Sequence, residues 1–160
     1  MDINTMDFNP FTKIGKEWAL VSAGNAEKSN MMTVSWGGAG VLWGKNVVFL
    51  FIRESRYTKE FIDNGETFSL SFFDEKYHEA LALCGSKSGR DMDKWQAAGL
   101  TPLFDGTVVY PKEANLVLKC RKLSAMEIPV ESFIDADIES KWYGDHDMHT
   151  MYIGEIIEAV

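Results

Sequence analysis

The sequence predicts a mainly β protein, a closed or partly closed antiparallel barrel with a few small helices. Three observations support this: short strands outnumber helices, the helices are short, and the two do not alternate regularly as in a doubly wound sheet. The chain has 160 residues, of which 46% are hydrophobic and 25% charged, enough for one core. No repeat, low-complexity stretch or linker divides it. We therefore expect a single domain over residues 1–160.

The first half of the chain predicts three strands. Residues 18–23 are mostly apolar, and a polar turn that begins Gly-Asn separates them from residues 31–36, which have Thr and Val at their centre. The run Gly-Gly-Ala-Gly at 37–40 then interrupts this second strand. Residues 46–53 are β-branched and aromatic without alternation, which is typical of a strand buried on both faces.

The second half mixes helices with strands. A short helix over 58–64 begins at a threonine and stops at Asn-Gly, after which residues 67–72 alternate as a half-buried strand. Residues 75–83 have helical composition, and a helix over 91–98 has acidic residues at its start and a glycine just past its end. Two further strands are predicted, at 116–121 with one wet face and at 150–160.

Composition also bears on the compartment. The longest unbroken apolar run, at 47–52, is six residues, and the N-terminus lacks the basic then apolar profile of a secretion signal. We therefore expect a cytoplasmic protein without a membrane span. Cys84 and Cys120 fit no Cys-x-x-Cys pattern, so we interpret both as small core residues in a reduced compartment.

Charge is unevenly distributed. The net charge is −8, which argues against a nucleic-acid partner, and residues 127–160 account for all of it with nine acidic residues and one basic residue. Among the balanced residues 1–126, basic side chains cluster in two places: Lys45, Arg53, Arg56 and Lys59, then Lys87, Arg90 and Lys94. They indicate either a small anion pocket or a solvated surface of mixed charge.

Three segments carry residue types suited to ligand binding. Residues 29–36 combine small hydroxyls, an amide and sulfur, and could lie against a flat polar ring, or form a Thr-rich edge strand. Residues 53–58 place two arginines and several hydroxyls just before a helix. This pattern indicates either a phosphate site or a helix cap with solvated arginines. Residues 86–94 form a second small-residue loop with cations, and their spacing is not that of a Walker loop.

Two other patterns resemble metal sites only weakly. Asp-His-Asp-Met-His at 145–149 lacks a further firm ligand elsewhere, and Glu75-x-x-His78 is only half of a carboxylate di-iron motif. We therefore expect no metal.

In this order the segments resemble the flavin reductase-like FMN-binding split-barrel family, and within it the flavoredoxin branch. The resemblance extends from about residue 18 to the C-terminus. Its motifs are Asn30-x-Met32-Thr33-x-Ser35-Trp36, Arg53-x-x-Arg56-Tyr57-Thr58, Cys84-Gly85-x-x-Ser88-Gly89-Arg90-Asp91-x-Asp93-Lys94, Gly144-Asp145-His146 and His149-Thr150-x-x-Ile153-Gly154-Glu155-Ile156. One departure is Glu54, where the family usually has a proline after the first arginine.

The resemblance implies a homodimeric six-stranded antiparallel Greek-key split barrel that holds FMN non-covalently near the dimer interface. It implies that the first segment lines the flavin ring, mostly through backbone groups: Asn30, Met31, Met32, Thr33, Val34, Ser35 and Trp36. It implies that the other two segments meet the ribityl phosphate: Arg53, Arg56, Tyr57, Thr58, Ser86, Lys87, Ser88, Gly89 and Lys94. Trp36 and Trp142 are expected near the flavin or the dimer seam.

Two functions follow from the resemblance and stay open. One is an NAD(P)H-dependent FMN reductase, in which a reduced nicotinamide passes hydride to flavin N5. The other is an electron-transfer flavoprotein with protein redox partners, which the acidic C-terminal third could attract. An FMN-binding module without turnover is a third option. No Gly-x-Gly-x-x-Gly follows a strand, so the nicotinamide would share the flavin pocket, where His149 is expected to seat it or to donate a proton.

Overall fold

The structure is a computed structural model that describes residues 1–160. Nine strands are present: β1 Ala19–Gly24, β2 Ser29–Val34, β3 Gly37–Leu42, β4 Lys45–Arg53, β5 Thr67–Phe72, β6 Pro102–Asp105, β7 Val108–Pro111, β8 Leu116–Glu127 and β9 His149–Ala159. The α-helices are α1 Pro10–Lys13, α2 Tyr57–Asn64, α3 His78–Ser86, α4 Lys94–Ala98 and α5 Asp137–Trp142. Short 3₁₀ turns lie at Ile3–Thr5, Glu75–Tyr77 and Val130–Ser132.

Seven strands form one antiparallel sheet in the order β2-β1-β5-β8-β9-β4-β3, and β6 and β7 form a separate hairpin. The sheet curls until β2 contacts β4, but no backbone ladder joins β2 to β3. Two register shifts in β8, after Lys119 and Lys122, add local twist to its pairing with β9. The predicted antiparallel split barrel with short helices is confirmed, with seven strands in the main sheet rather than six.

The barrel interior holds the main core. Eighteen buried side chains from the strands, α2 and the N-terminal segment pack there. The strands pack closely because Gly154 on β9 leaves room for Phe68 on β5: a Cβ atom at position 154 would lie 2.4 Å from Cζ of Phe68. Each large side chain buried here contributes roughly 1.5–3 kcal/mol, so the barrel is a rigid frame for the loops at its rim.

A second, smaller core joins α3 and α4 to the outside of the barrel. Leu20 and Met31 project outwards from β1 and β2 and pack against Leu81, Cys84 and Trp95. This packing holds the loop between α3 and α4 against β2.

The glycine run follows the end of β2, as expected, but it also forms a strand of its own that was not predicted. Residues 37–42 are β3, an edge strand paired with β4 from Gly37↔Leu50 to Leu42↔Lys45. Backbone pairing does not require side chains, so glycines are tolerated at this edge. The two strands are joined by Trp43 and Gly44, whose φ values of 54° and 71° suit a two-residue hairpin turn.

The prediction that 67–72 are half-buried is wrong, because five of the six residues are buried. The β6–β7 hairpin, which was not predicted, covers the polar face of β5, and Ser69 donates a hydrogen bond to the Val109 carbonyl at 2.7 Å. The same cover makes Lys119 on β8 buried where a wet face was expected. Its ammonium pairs with Asp105 and Glu158, both at 2.6 Å.

Helix boundaries differ slightly from the predicted ones. The helix expected over 91–98 begins at Lys94, because the Asp93 carboxylate caps it by accepting from Trp95 N at 2.9 Å. The helix expected over 75–83 is a 3₁₀ turn followed by α3. None of the helices has both the length and the apolar character needed to cross a membrane.

Candidate functional site

Two cavities adjoin at one end of the barrel and share Arg56. The first, here called the aromatic cavity, has a volume of about 220 Å³. Its lining is Met32, Thr33, Val34, Ser35, Trp36, Phe51, Arg53, Arg56, Trp142 and His149. The second, here called the basic pocket, has a volume of about 200 Å³. Its lining is Ser55, Arg56, Tyr57, Thr58, Gly85, Ser86, Lys87, Ser88 and Lys94.

One wall of the aromatic cavity is built from the end of β2 and the segment that follows it. There Trp36 meets Trp142 edge to face, with ring centroids 5.0 Å apart, and lies 5.1 Å from His149. Both indoles are partly exposed, so they form the mouth of the cavity. Such a space suits a flat aromatic group with polar edges.

His149, the first residue of β9, lies almost fully buried in this wall. Its Nδ1 shares a hydrogen bond with the Tyr143 hydroxyl at 2.8 Å. Burial and the nearby Arg53 lower the pKa of His149 to about 4, although Asp147 opposes them. The imidazole is therefore neutral at pH 7, and the Tyr143 contact fixes its orientation.

Arg53 lies in the aromatic cavity rather than in the basic pocket, where the resemblance implied it. Its guanidinium donates to the carbonyl groups of Asp147 at 2.6 Å and Trp142 at 2.9 Å. It also lies 5.3 Å from the ring centroid of Tyr143. These contacts fasten the α5–β9 loop to the end of β4, so Arg53 shapes the wall that carries His149.

The basic pocket is formed where the start of α2 faces the loop after α3. No side chain caps α2, and the N–H groups of Tyr57 and Thr58 have no acceptor within the chain. Free N–H groups at a helix N-terminus favour an anion. The hydroxyls of Ser86 and Ser88 and the ammonium of Lys87 complete the pocket.

Arg56 and Lys94 place two buried or half-buried cations in this pocket, and neither forms an ion pair with a carboxylate, although Asp147 lies close enough to Arg56 to raise its pKa against the effect of burial. Arg56 donates to the Gly85 carbonyl at 3.0 Å, and Lys94 donates to the carbonyls of Met31 at 3.0 Å and Cys84 at 2.7 Å. Burial and the nearby Arg56 lower the pKa of Lys94 to about 8. Neutral carbonyl groups satisfy the donors but do not pair the two positive charges, so the pocket fits a phosphate.

Three of the predicted site residues lie behind the cavities rather than in their walls. Asn30 donates from Nδ2 to the Thr58 hydroxyl at 3.0 Å, and thereby ties β2 to the start of α2. A Cβ atom at position 89 would lie 2.2 Å from the Asn30 side-chain oxygen, so only glycine fits there. Met31 packs in the outer core, and its carbonyl holds Lys94.

The sequence-based list of site residues omits four that line the two cavities: Phe51, Trp142, Ser55 and Gly85. Of these, Trp142 was expected near the flavin or the dimer seam but was not assigned a contact. A signal existed for Ser55, which lies between the two arginines of its segment, and for Gly85, which lies in the motif that begins at Cys84. Phe51 carries no local signal. The structure contains no group of three His, Cys, Asp or Glu side chains placed to hold a metal ion.

Comparison with known proteins gives a family match. Residues 11–160 match the family described as "Flavin reductase like domain". No curated protein matches the sequence.

Several solved structures have the same fold. Flavoredoxin from Methanosarcina acetivorans is 24% identical with a TM-score of 0.71, over 90% of this chain and 67% of that one. An FMN-binding protein from Thermus thermophilus is 21% identical with a TM-score of 0.68, over 89% and 68%. An NADH:FAD oxidoreductase from Streptomyces globisporus is 17% identical with a TM-score of 0.66, over 90% and 74%. At these identities the likeness establishes the fold.

Proposed function

Because the chain belongs to the flavin reductase-like family, we propose that it binds FMN non-covalently and acts as an NAD(P)H-dependent flavin reductase. The observation that carries this proposal is the junction of the aromatic cavity with the basic pocket at Arg56. A flat ring joined to a phosphate by a short polar chain needs two such spaces side by side. The similar protein from Thermus thermophilus is described as FMN-binding.

The basic pocket is the proposed phosphate site. The free N–H groups of Tyr57 and Thr58, the hydroxyls of Ser86 and Ser88, and Lys87 would surround the phosphate. Arg56 and Lys94 would supply the remaining charge. In a chain of net charge −8, a pocket with three cations and no carboxylate partner is an unusual concentration of positive charge, which supports this assignment.

The aromatic cavity is the proposed ring site. Residues 32–36 would face the ring along β2. Asn30, Met31 and Gly89 would act indirectly, by holding β2, α2 and the loop after α3 together. Trp36 and Trp142 at the mouth would exclude water from one side of the ring.

When bound, FMN supplies the redox chemistry by accepting hydride from a reduced nicotinamide and passing the electrons to an acceptor. The chain supplies binding and orientation. At neutral pH the His149 imidazole is uncharged, so we assign it to seating the nicotinamide through a hydrogen bond rather than to acid catalysis. Tyr143 holds the imidazole in place.

A second candidate function is that of an electron carrier with protein partners, like the flavoredoxin of similar fold. The observation that favours it is the acidic segment next to the aromatic cavity. Glu127, Glu131, Asp135, Asp137 and Glu139 form no ion pairs with the rest of the chain. Fully exposed Ile134 lies among them in sequence, so the segment could dock a basic redox protein.

The resemblance also leads us to propose a homodimer. The exposed apolar side chains Trp36, Val41, Trp43 and Trp142 lie on β3, its hairpin turn and the mouth of the aromatic cavity, where a second copy would cover them. Sedimentation of the flavin-loaded protein should give twice the chain mass of 18.1 kDa. A species of single-chain mass would contradict this part of the proposal.

The visible spectrum of the purified protein before and after anaerobic NADH or NADPH tests the proposed function. A bound-flavin spectrum that bleaches rapidly supports the reductase. Flavin that bleaches only with dithionite supports the carrier instead. The absence of any flavin spectrum after FMN is added would contradict both.

A matched pair of lysine variants localises the phosphate. Lys87→Ala should weaken FMN binding about tenfold, as expected for one charge-assisted hydrogen bond. Lys112→Ala removes an exposed lysine outside both cavities and should leave FMN affinity unchanged. Equal affinities in the two variants would contradict the assignment of the basic pocket.

A further inference from the structure

The loop between α5 and β9 leads into His149 and is fastened to the turn between β4 and α2. The Asp147 carboxylate on this loop accepts two hydrogen bonds from Ser55, at 3.0 Å from its N–H group and at 2.5 Å from its hydroxyl. Ser55 lines the basic pocket, whereas His149 lines the aromatic cavity. The Asp147 carboxylate therefore connects the wall of one part of the proposed site to the loop that carries the other.

The backbone at Asp147 is held by the residues that precede Ser55. Arg53 donates to the Asp147 carbonyl at 2.6 Å, and the Glu54 N–H group donates to the Met148 carbonyl at 3.0 Å. Glu54 occupies the position where the resemblance predicts a proline, and a proline has no N–H group to donate. Each of residues 53–55 therefore donates to residue 147 or 148.

The loop contains a strained residue, so its conformation depends on these contacts. His146 directly precedes Asp147 and has a φ of 60°, in the left-handed region that is uncommon for residues other than glycine. Strained backbone persists only where the surrounding structure holds it. Without the Asp147 carboxylate, we expect the loop to relax and the backbone at His149 to shift with it.

Such a shift would misplace the His149 imidazole. The ring is oriented by the hydrogen bond between its Nδ1 and the Tyr143 hydroxyl, at 2.8 Å. Tyr143 directly follows α5, at the other end of the same loop, so both members of the pair depend on the loop conformation. Hydrogen bonds weaken steeply when their geometry is poor, so a displaced imidazole would hold a ligand less well.

We propose that Asp147 is a positioning residue for the nicotinamide, which acts by holding its loop to Ser55 and thereby fixes the imidazole of His149. The inference rests on the proposed function, because it assumes that His149 seats a reduced nicotinamide. Asp147 itself lines neither the aromatic cavity nor the basic pocket. Its effect should therefore pass through His149 and change nicotinamide affinity, and not the rate of the chemical step.

Anaerobic bleaching of the FMN-loaded protein at increasing NADH, or NADPH if it reacts faster, tests the inference. The half-saturating concentration reports nucleotide affinity, and the limiting rate reports the chemical step. Asp147→Ala should raise the half-saturating concentration about fivefold, less than the loss of one whole hydrogen bond in His149→Ala, and leave the limiting rate unchanged. FMN should remain bound. In a His149→Ala background, Asp147→Ala should have no further effect.

A conservative variant separates the hydrogen bonds of Asp147 from its charge. In Asp147→Asn the amide oxygen can accept from the Ser55 N–H group, and the amide N–H can donate to the Ser55 hydroxyl. This variant should therefore keep a half-saturating concentration near that of the wild type. Asp74→Ala is the matched control, because Asp74 also joins two segments, by accepting from Asn115 at 2.9 Å, and lies outside both cavities. It should have no effect.

The other outcomes are distinguishable. An unchanged half-saturating concentration in Asp147→Ala, or loss of its FMN, would overturn the inference. So would equal impairment of Asp147→Asn and Asp147→Ala, which assigns the effect to charge, or additive effects of Asp147→Ala and His149→Ala, which assign it to a route that avoids His149. Each of these leaves the proposed function intact. Failure of either nucleotide to bleach the wild-type protein would instead overturn the proposed reductase.

Discussion

Two buried lysines under different elements of the protein have opposite surroundings. Lys119 under the β6–β7 hairpin pairs with two carboxylates, and although burial alone would lower its pKa, the hydrogen bonds to Asp105 and Glu158 raise it. Lys94 under the basic pocket has only carbonyl partners, and its pKa is lowered to about 8. A charge compensated within the chain serves the fold, whereas an uncompensated one is available to a ligand.

The largest expected difference is in flavin affinity. Lys94→Met removes the uncompensated charge and should weaken FMN binding roughly 30-fold, or about 2 kcal/mol, as for a hydrogen bond to a charged group. Lys119→Met should leave FMN affinity unchanged and lower the free energy of unfolding by about 1 kcal/mol. Fluorescence titration and urea unfolding measure the two effects. An equal loss of FMN affinity in both variants would contradict the distinction between the two lysines.

The pH dependence of FMN binding sharpens the comparison. The protonated form of Lys94 binds the phosphate, so FMN affinity should fall by up to about tenfold per pH unit above pH 8. The free energy of unfolding of the flavin-free protein should change in the opposite sense. Between about pH 8 and 10 the unfolded chain binds more protons than the folded one, so stability rises with pH. Lys94→Met should abolish both trends, and persistence of either would assign it to another group.

His149 extends the comparison to an uncharged group. It lies beside Arg53, whose guanidinium is already hydrogen-bonded to carbonyl groups of the chain. His149→Ala should lower kcat/KM for NADH about tenfold, the loss expected for one hydrogen bond, and should leave bound FMN in place. Tyr143→Phe should have a similar but smaller effect. Because the pKa of His149 is about 4, the wild-type rate should show no His149-dependent change between pH 5.5 and 8. Loss of FMN from His149→Ala would show a structural role instead.

The smallest effect is expected around Lys119. Asp105 is mostly exposed and Glu158 remains as a second partner. Asp105→Asn should therefore lower the free energy of unfolding by no more than about 0.5 kcal/mol, as for an exposed ion pair. FMN affinity should not change. A loss of several kcal/mol in urea unfolding would show that the two carboxylates are not interchangeable.

The fold could be predicted from the sequence where a segment's own pattern determines its structure. The strands β4 and β9 were found in this way, and the split-barrel class is confirmed. The prediction that β4 is buried on both faces is only partly right, because Phe49 and Phe51 on one face are partly exposed. The β6–β7 hairpin was missed although Asp105-Gly106 is a strong hairpin turn signal. Without that hairpin, the alternation of β5 predicted a wet face that tertiary packing covers.

The candidate site was predictable as a set of segments but not as a set of contacts. The motifs indicated that β2, the start of α2 and the loop after α3 would meet. They could not show that Arg56 and Lys94 hold the last carbonyl groups of α3 or that Arg53 holds the α5–β9 loop. Those contacts depend on where a helix end and a distant loop lie in space, which no local spacing encodes.

Arg56 lines the aromatic cavity and the basic pocket at once, so the two cannot be occupied independently. An anion bound in the basic pocket would fix the Arg56 guanidinium and so change the wall of the aromatic cavity. A ring bound in the aromatic cavity would in turn change the position of the guanidinium that faces the anion. By thermodynamic linkage, inorganic phosphate and a flavin that lacks a phosphate must change each other's affinity by the same factor. Through Arg56, the aromatic cavity and the basic pocket therefore act as one binding site with coupled affinities.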